Sequence, residues 1–200
     1  YAIATTTVSI SVTQKPLTVS ATALTVTYGA NISSQFTTIG LVSGDTADSV
    51  TFTYAGTGST NYSASQVPPT TAGSYTHTPS ALVLSSGSLA NYDINYLDAV
   101  LTINKATQNT LVAHASSTDL TYEPAPNSPI VNLSTTGGSG DGQVTYALSP
   151  STSLCSISGT VLTVLGAGTC SVIATKAEGT NHLVTSSSAI SIQIAKADQT

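Results

Sequence analysis

Val8-Ser9-Ile10-Ser11-Val12-Thr13-Gln14-Lys15, Val100-Leu101-Thr102-Ile103-Asn104-Lys105 and Ile190-Ser191-Ile192-Gln193-Ile194-Ala195-Lys196 are three versions of one phrase. In each, apolar and polar residues alternate up to a lysine, the pattern of a strand with one face buried. The lysines recur at a near-constant period: Lys15 to Lys105 is 90 residues (105 − 15) and Lys105 to Lys196 is 91 (196 − 105). A fixed period of that size marks an array of domains. Working outward from the three phrases, residues 15–104 and 105–195 are two complete units. Residues 1–14 read as the terminal strand of a preceding repeat, and 196–200 as the start of a following domain.

Composition agrees with a β array. Ser (30) and Thr (35) make up about a third of the 200 residues, and Thr, Val, Ile and Tyr suit a pleated, half-buried surface. Long runs of helix formers are absent. The apolar fraction of 40% argues against disorder, and each unit of about 90 residues is large enough for a modest core. The chain has no arginine, four Lys against nine acids, and a net charge of −5. It therefore lacks the basic footprint that nucleic acid or an anionic membrane surface requires. No apolar run is long enough to insert across a bilayer as a helix.

The strands follow from period-2 runs. In the first unit these are Pro16–Val19, Ala23–Tyr28 (broken at Gly29), Val50–Tyr54, Gly73–Pro79 and Leu82–Leu84. Tyr92–Tyr96 and Ala99–Ile103 read as a hairpin across Leu97-Asp98. The second unit offers seven or eight short strands at about ten-residue spacing, which predicts an antiparallel sandwich. Cys155 and Cys170 have no zinc-spaced partners, so a disulfide is the reading, with Ser158-Gly159 and Gly166-Ala167-Gly168 turning the chain to make them antiparallel neighbours. A disulfide implies an oxidising, extracytoplasmic setting. The joint Asn104-Lys105-Ala106-Thr107-Gln108 has no Gly, Pro or Ser run and predicts abutting domains without a flexible tether.

Lys15-Pro16-Leu17-Thr18-Val19, Thr27-Tyr28-Gly29, Gly40–Thr46, Ala72-Gly73-Ser74-Tyr75 and Asn91–Ile94 through Leu101–Ile103 resemble, in order, the MBG domain (YGX type) of bacterial surface proteins. The resemblance implies a small, mostly β, β-grasp-like domain used as a stalk repeat, with Tyr28, Gly29 and the boundary lysines Lys15, Lys105 and Lys196 as structural positions. Residues 106–195 resemble a bacterial Ig-like repeat through Thr136–Tyr146, Cys155–Gly159, Gly166–Cys170 and Ala174–Ala177. Asn181-His182 departs from the Asn-Tyr pair kept at Asn61-Tyr62 and Asn91-Tyr92. A two-domain repeat of about 181 residues follows.

Candidate chemistry is sparse. His77, His114 and His182 are scattered, and no G-x-S-x-G elbow accompanies them. His77 reads as a partly exposed cross-strand residue. Gly138-Ser139-Gly140-Asp141-Gly142 lacks the Gly-Lys-Ser/Thr ending of a phosphate loop and reads as a hairpin loop. Asp119 with Glu123, or Asp93 with Asp98, sharing a calcium ion with backbone carbonyls is an alternative, against which stand the several oxygen ligands that a hard cation wants in a chain with sparse acids. Lys15 or Lys105 near Asn104 and Asp98 raises an isopeptide bond as an alternative. The tyrosines read as core rings with hydroxyls reaching water. No catalytic residue, cofactor or metal is expected. The expected role is a stalk spacer of a bacterial cell-surface adhesin or surface filament, extracellular, whose partners are adjacent repeats of the chain and further copies in a filament. The alternatives are a ligand- or glycan-binding adhesion module and a filament subunit that assembles by strand addition; the distal ligand is not written in these residues.

Overall fold

The structure is a computed structural model and describes residues 6–197. Regular structure among these residues is β throughout, apart from one 3-10 turn at Leu89–Asn91. Two compact units form. One takes the chain through Val26 and again Ala30–Ile103; the other takes Thr27–Gly29 and the chain from Asn104.

The strands of the first unit are β1 (Lys15–Ala21), β2 (Leu24–Thr27), β3 (Phe36–Ile39), β4 (Thr46–Gly56), β5 (Gly73–Ser86), β6 (Tyr92–Leu97) and β7 (Ala99–Asn104). They make a three-stranded sheet, β3-β1-β6, and a four-stranded sheet, β2-β7-β5-β4. β1 runs antiparallel to β3 and parallel to β6. Alternation puts Leu17 and Val19 of β1 and Tyr92 of β6 inward. They meet Leu82 of β5, with Phe36, Val50, Ile94 and Tyr96 around them. The mostly β content implied by the resemblance is present, and a second sheet, not a helix, covers the mixed one.

Two details of the first unit differ from the sequence reading. β6 and β7 are not a hairpin: β6 pairs with β1 and β7 with β5, in different sheets. A tight hairpin wants a residue at positive φ, and Leu97-Asp98 supplies no glycine for it. The chain instead passes from one sheet to the other through Asp98. The two strands expected at 73–79 and 82–84 are one 14-residue strand. It bends where Ala81 and Leu82 together oppose Val50, between the pairs Thr51↔Ser80 and Ser49↔Val83. That is a β-bulge, and Ala81 sits in it at φ 47°.

The second unit contains β8 (Leu111–Ala115), β9 (Asp119–Thr121), β10 (Ile130–Gly137), β11 (Val144–Leu148), β12 (Cys155–Ser158), β13 (Val161–Val164), β14 (Gly168–Lys176), β15 (Thr185–Ser186) and β16 (Ile190–Ala195). One sheet has the order β12-β13-β10-β8 and the other β11-β14-β16-β9, with β15 also on β14. The sandwich is antiparallel except at β9, which runs parallel to β16. Val131, Leu162, Val164, Cys170, Val172 and Ile192 are fully buried between the sheets. Each such aliphatic side chain contributes about 2 kcal/mol relative to exposure.

Cys155 and Cys170 are joined by a disulfide with Cα atoms 6.4 Å apart. They are not neighbours on paired strands: β12 and β14 belong to opposite sheets, so the bridge crosses the core. The turn at Gly166–Gly168 carries the chain from β13 in one sheet to β14 in the other.

Residues 6–14 have no regular structure, and no strand among the described residues pairs with them. Val8, Ile10 and Val12 are 80%, 84% and 91% exposed. Lys196 and Ala197 lie past β16 without regular structure. The remainder of the expected terminal elements, residues 1–5 and 198–200, lies outside the described residues.

Candidate functional site

A dense polar construction among the described residues is the segment that begins the second unit. Lys105 pairs with Glu178 and also donates to the Gly179 carbonyl at 2.8 Å. The Ala106 N–H donates to the Asn181 carbonyl at 2.9 Å, and the Ala106 carbonyl accepts from Leu183 N–H at 2.9 Å. Gln108 reaches three ways: its amide nitrogen donates to the Leu183 and Ala177 carbonyls (2.7 and 3.3 Å), and its oxygen accepts from Gly140 N–H at 3.2 Å. The Asn109 N–H donates to Ser139 Oγ at 3.1 Å. Residues 105–109 are thus fastened to two loops, 138–142 and 177–183.

Those loops are locked to each other. Asp141 accepts from the Thr180 N–H (2.9 Å) and hydroxyl (2.8 Å). The Thr180 hydroxyl, then its N–H, hold the Asp141 carboxyl below the usual carboxylate range, aided by nearby His182. Close approach requires glycine twice. A Cβ on Gly179 would lie 1.8 Å from Asp141 Oδ1, and one on Gly142 1.9 Å from the Ala177 carbonyl. In the same unit Tyr28 sets its ring edge-on to His182, with centroids 5.3 Å apart, while its N–H donates to the Asn104 carbonyl at 2.8 Å. Gly29 follows at φ 88°, a conformation glycine adopts without strain.

The first unit holds a second polar centre, around His77. The ring is fully buried, not partly exposed as its Thr-flanked strand position suggests. Burial is tolerated because both nitrogens are satisfied: Nδ1 meets Ser34 Oγ at 3.0 Å and Nε2 the Thr22 carbonyl at 3.0 Å. A carbonyl only accepts, so Nε2 carries the proton and Nδ1 accepts from the Ser34 hydroxyl. Desolvation lowers the His77 pKa, against smaller raising effects of the Thr22 carbonyl and Asp98. Ser34 Oγ also bonds Tyr54 OH at 3.1 Å, and Phe52 packs on the imidazole at 5.4 Å. Nearby, Tyr92 OH donates to Asp45 at 2.5 Å and accepts from Val42 N–H at 3.0 Å. Burial and then the Asp45 bond push that phenol up.

Lys15 opens β1 and only grazes the Leu41 carbonyl, at 3.4 Å. Residues 17–102 match the MBG domain (YGX type). Tyr28 and Gly29, His77, and the Tyr92–Asp45 pair all lie inside the MBG match, whereas Lys105, Gln108 and the disulfide lie outside it. No curated protein matches the chain. Solved structures similar to it include human protocadherin-24 EC1-2, at 15% identity and TM-score 0.40, covering 89% of this chain and 94% of that one. A second crystal form of that protein aligns at 17% identity and TM-score 0.37 over 64% of this chain, which spans 66% of its length. Mouse cadherin-23 EC22-24 aligns at 13% identity and TM-score 0.37, over 88% and 66%.

The remaining sequence candidates are dispersed. Among the described residues no three of His, Cys, Asp or Glu gather as a metal site. Lys105 spends its ammonium on Glu178 and Gly179, not on an asparagine amide. Rings of Tyr54, Tyr75 and Tyr92 are buried, while Tyr28, Tyr62, Tyr96, Tyr122 and Tyr146 are half-buried. Gln108, Asp141 and Glu178 carry the construction at residues 105–109, yet the sequence singled out only Asp141, and that as part of a loop. The one signal available was scarcity: in a chain with nine acids, each is a candidate partner for a lysine.

Proposed function

We propose that this chain is a structural spacer: two β modules in series within the repetitive stalk of a bacterial cell-surface adhesin or surface filament. It carries a distal binding region away from the envelope and performs no reaction. The observation that carries this reading is how fully residues 105–109 are hydrogen-bonded within the second unit. β7 ends at Asn104, and from Lys105 onward every residue but Thr107 is fastened to the second unit. A connector so consumed has no freely jointed residues of the kind a flexible tether needs.

Three further facts support it. The MBG match covers nearly all of the first unit. The disulfide across the second core suits an oxidising exterior. Each module has its own buried cluster, so the stability of a series is approximately a sum over units and their interfaces. On this reading the direct partners are adjacent repeats of the same polypeptide. Amide hydrogen exchange tests it: the N–H groups of Ala106 and Asn109 exchange as slowly as those of β8. Exchange at open-chain rates there would remove the ground for a spacer.

A further inference from the structure

We propose that residues 6–14 are a donor strand, which completes a β-sandwich of the second unit's kind by taking the place that β16 holds in this one. Val8, Ile10 and Val12 point three large apolar side chains to solvent at 80–91% exposure. In a strand, alternate apolar side chains share one face, and such a face is normally covered. The backbone of the segment has no ladder partner among the described residues, and it carries no charge before Lys15 to keep it soluble and apart.

What would cover it is written in β16. Val8-Ser9-Ile10-Ser11-Val12 corresponds position by position to Ile190-Ser191-Ile192-Gln193-Ile194, and a lysine follows each if one residue is skipped, since Lys15 lies three positions beyond Val12 and Lys196 two beyond Ile194. In β16 the same alternation is satisfied: Ile192 and Ile194 are 0% and 5% exposed in the core. β16 is hydrogen-bonded on both sides, antiparallel to β14 and parallel to β9. Its outward residues also have partners that the segment reproduces. Ser191 Oγ lies 3.4 Å from Ser171 Oγ, and Gln193 accepts from the Thr169 hydroxyl at 2.7 Å. Ser9 repeats the first pairing, and Ser11 offers a hydroxyl to the second. The occupant is therefore a sandwich presenting a β14-like and a β9-like edge with the slot between them open, and recognition is strand addition in one register. This holds or fails independently of how stiff the joint at residue 104 is.

The experiment grafts the segment into the full chain. Residues 190–195 are replaced by residues 8–13, which requires Ile190→Val, Gln193→Ser, Ile194→Val and Ala195→Thr. A control moves the graft by one position, using residues 9–14 (Ile190→Ser, Ser191→Ile, Ile192→Ser, Gln193→Val, Ile194→Thr, Ala195→Gln). The in-register graft keeps a cooperative transition for the second unit, lowered by about 5–15 °C through its two lost methylenes. It also retains slow amide exchange in β9 and β14. The shifted graft loses both. Equal loss in the two grafts, or equal tolerance of both, would overturn the proposal, since either result means that the segment has no fit to the β16 position.

Discussion

Replacing both cysteines, Cys155→Ala with Cys170→Ala, removes the disulfide cross-link between the two sheets of the second unit. The loop it closes spans 15 residues, so the chain-entropy contribution is about 3 kcal/mol. Both residues are core residues, 3% and 0% exposed, in contact with the cluster of Val131, Leu162 and Val172. Deleting two buried sulfurs adds roughly 1 kcal/mol each in lost packing. The sum, about 5 kcal/mol, is a large share of the roughly 5–15 kcal/mol that holds a domain together. For a unit of this size it lowers the melting temperature by at least about 20 °C. Calorimetry gives the shift, and hydrogen exchange followed by mass spectrometry assigns it: β10, β13 and β14 lose protection while β1, β5 and β7 keep theirs. A loss below about 1 kcal/mol, or equal loss in both units, would refute the reasoning that the bridge acts within one core.

His77 makes the first unit acid-sensitive. Its folded pKa lies below the ordinary 6.5, so below about pH 6.5 the unfolded chain binds a proton that the buried ring resists, and stability falls as pH falls. An NMR titration of the ring with a midpoint at or above 6.5 would contradict this. Gly142→Ala drives a Cβ against the Ala177 carbonyl and costs more than about 2 kcal/mol, whereas Gly159→Ala, at φ 60° with open space around it, costs about 1–2 kcal/mol. Urea denaturation ranks the pair; the reverse order speaks against the loop packing described. Lys105→Ala costs under about 1 kcal/mol, because its ion pair with Glu178 is substantially exposed, and a double-mutant cycle with Glu178→Ala measures it. Trypsin acting on the native protein cuts after exposed Lys196 before Lys105 or Lys176; early cleavage at Lys105 means residues 105–109 are not fastened.

Much of the fold is written locally and the rest is not. Alternation in Val144–Leu148, Val161–Val164 and Ile190–Ala195 identifies strands because each buries one face. Alternation does not say which sheet a strand joins, and for that reason Tyr92–Leu97 and Ala99–Asn104 read as a hairpin although they lie in different sheets. The same blindness put Cys155 and Cys170 on adjacent strands when they face each other across the core. His77 illustrates a longer-range gap: its partners Ser34 and Thr22 are 43 and 55 residues away, and nothing beside it on the strand announces them. Gln108 is equally silent, since its three hydrogen bonds all go to backbone groups, which carry no residue-type signal. Residues 6–14 are the converse case: the pattern is a strand's, but a strand also needs a neighbour.

Small-angle scattering of the intact chain, beside a variant with Gly-Ser-Gly-Ser inserted after Asn104, tests the spacer most directly. If β7 hands over to the fastened segment without slack, the parent scatters as one narrow distribution of distances between modules, and the insertion broadens it. A parent curve as broad as that of the loosened variant would show a free hinge at residue 104 and contradict the spacer.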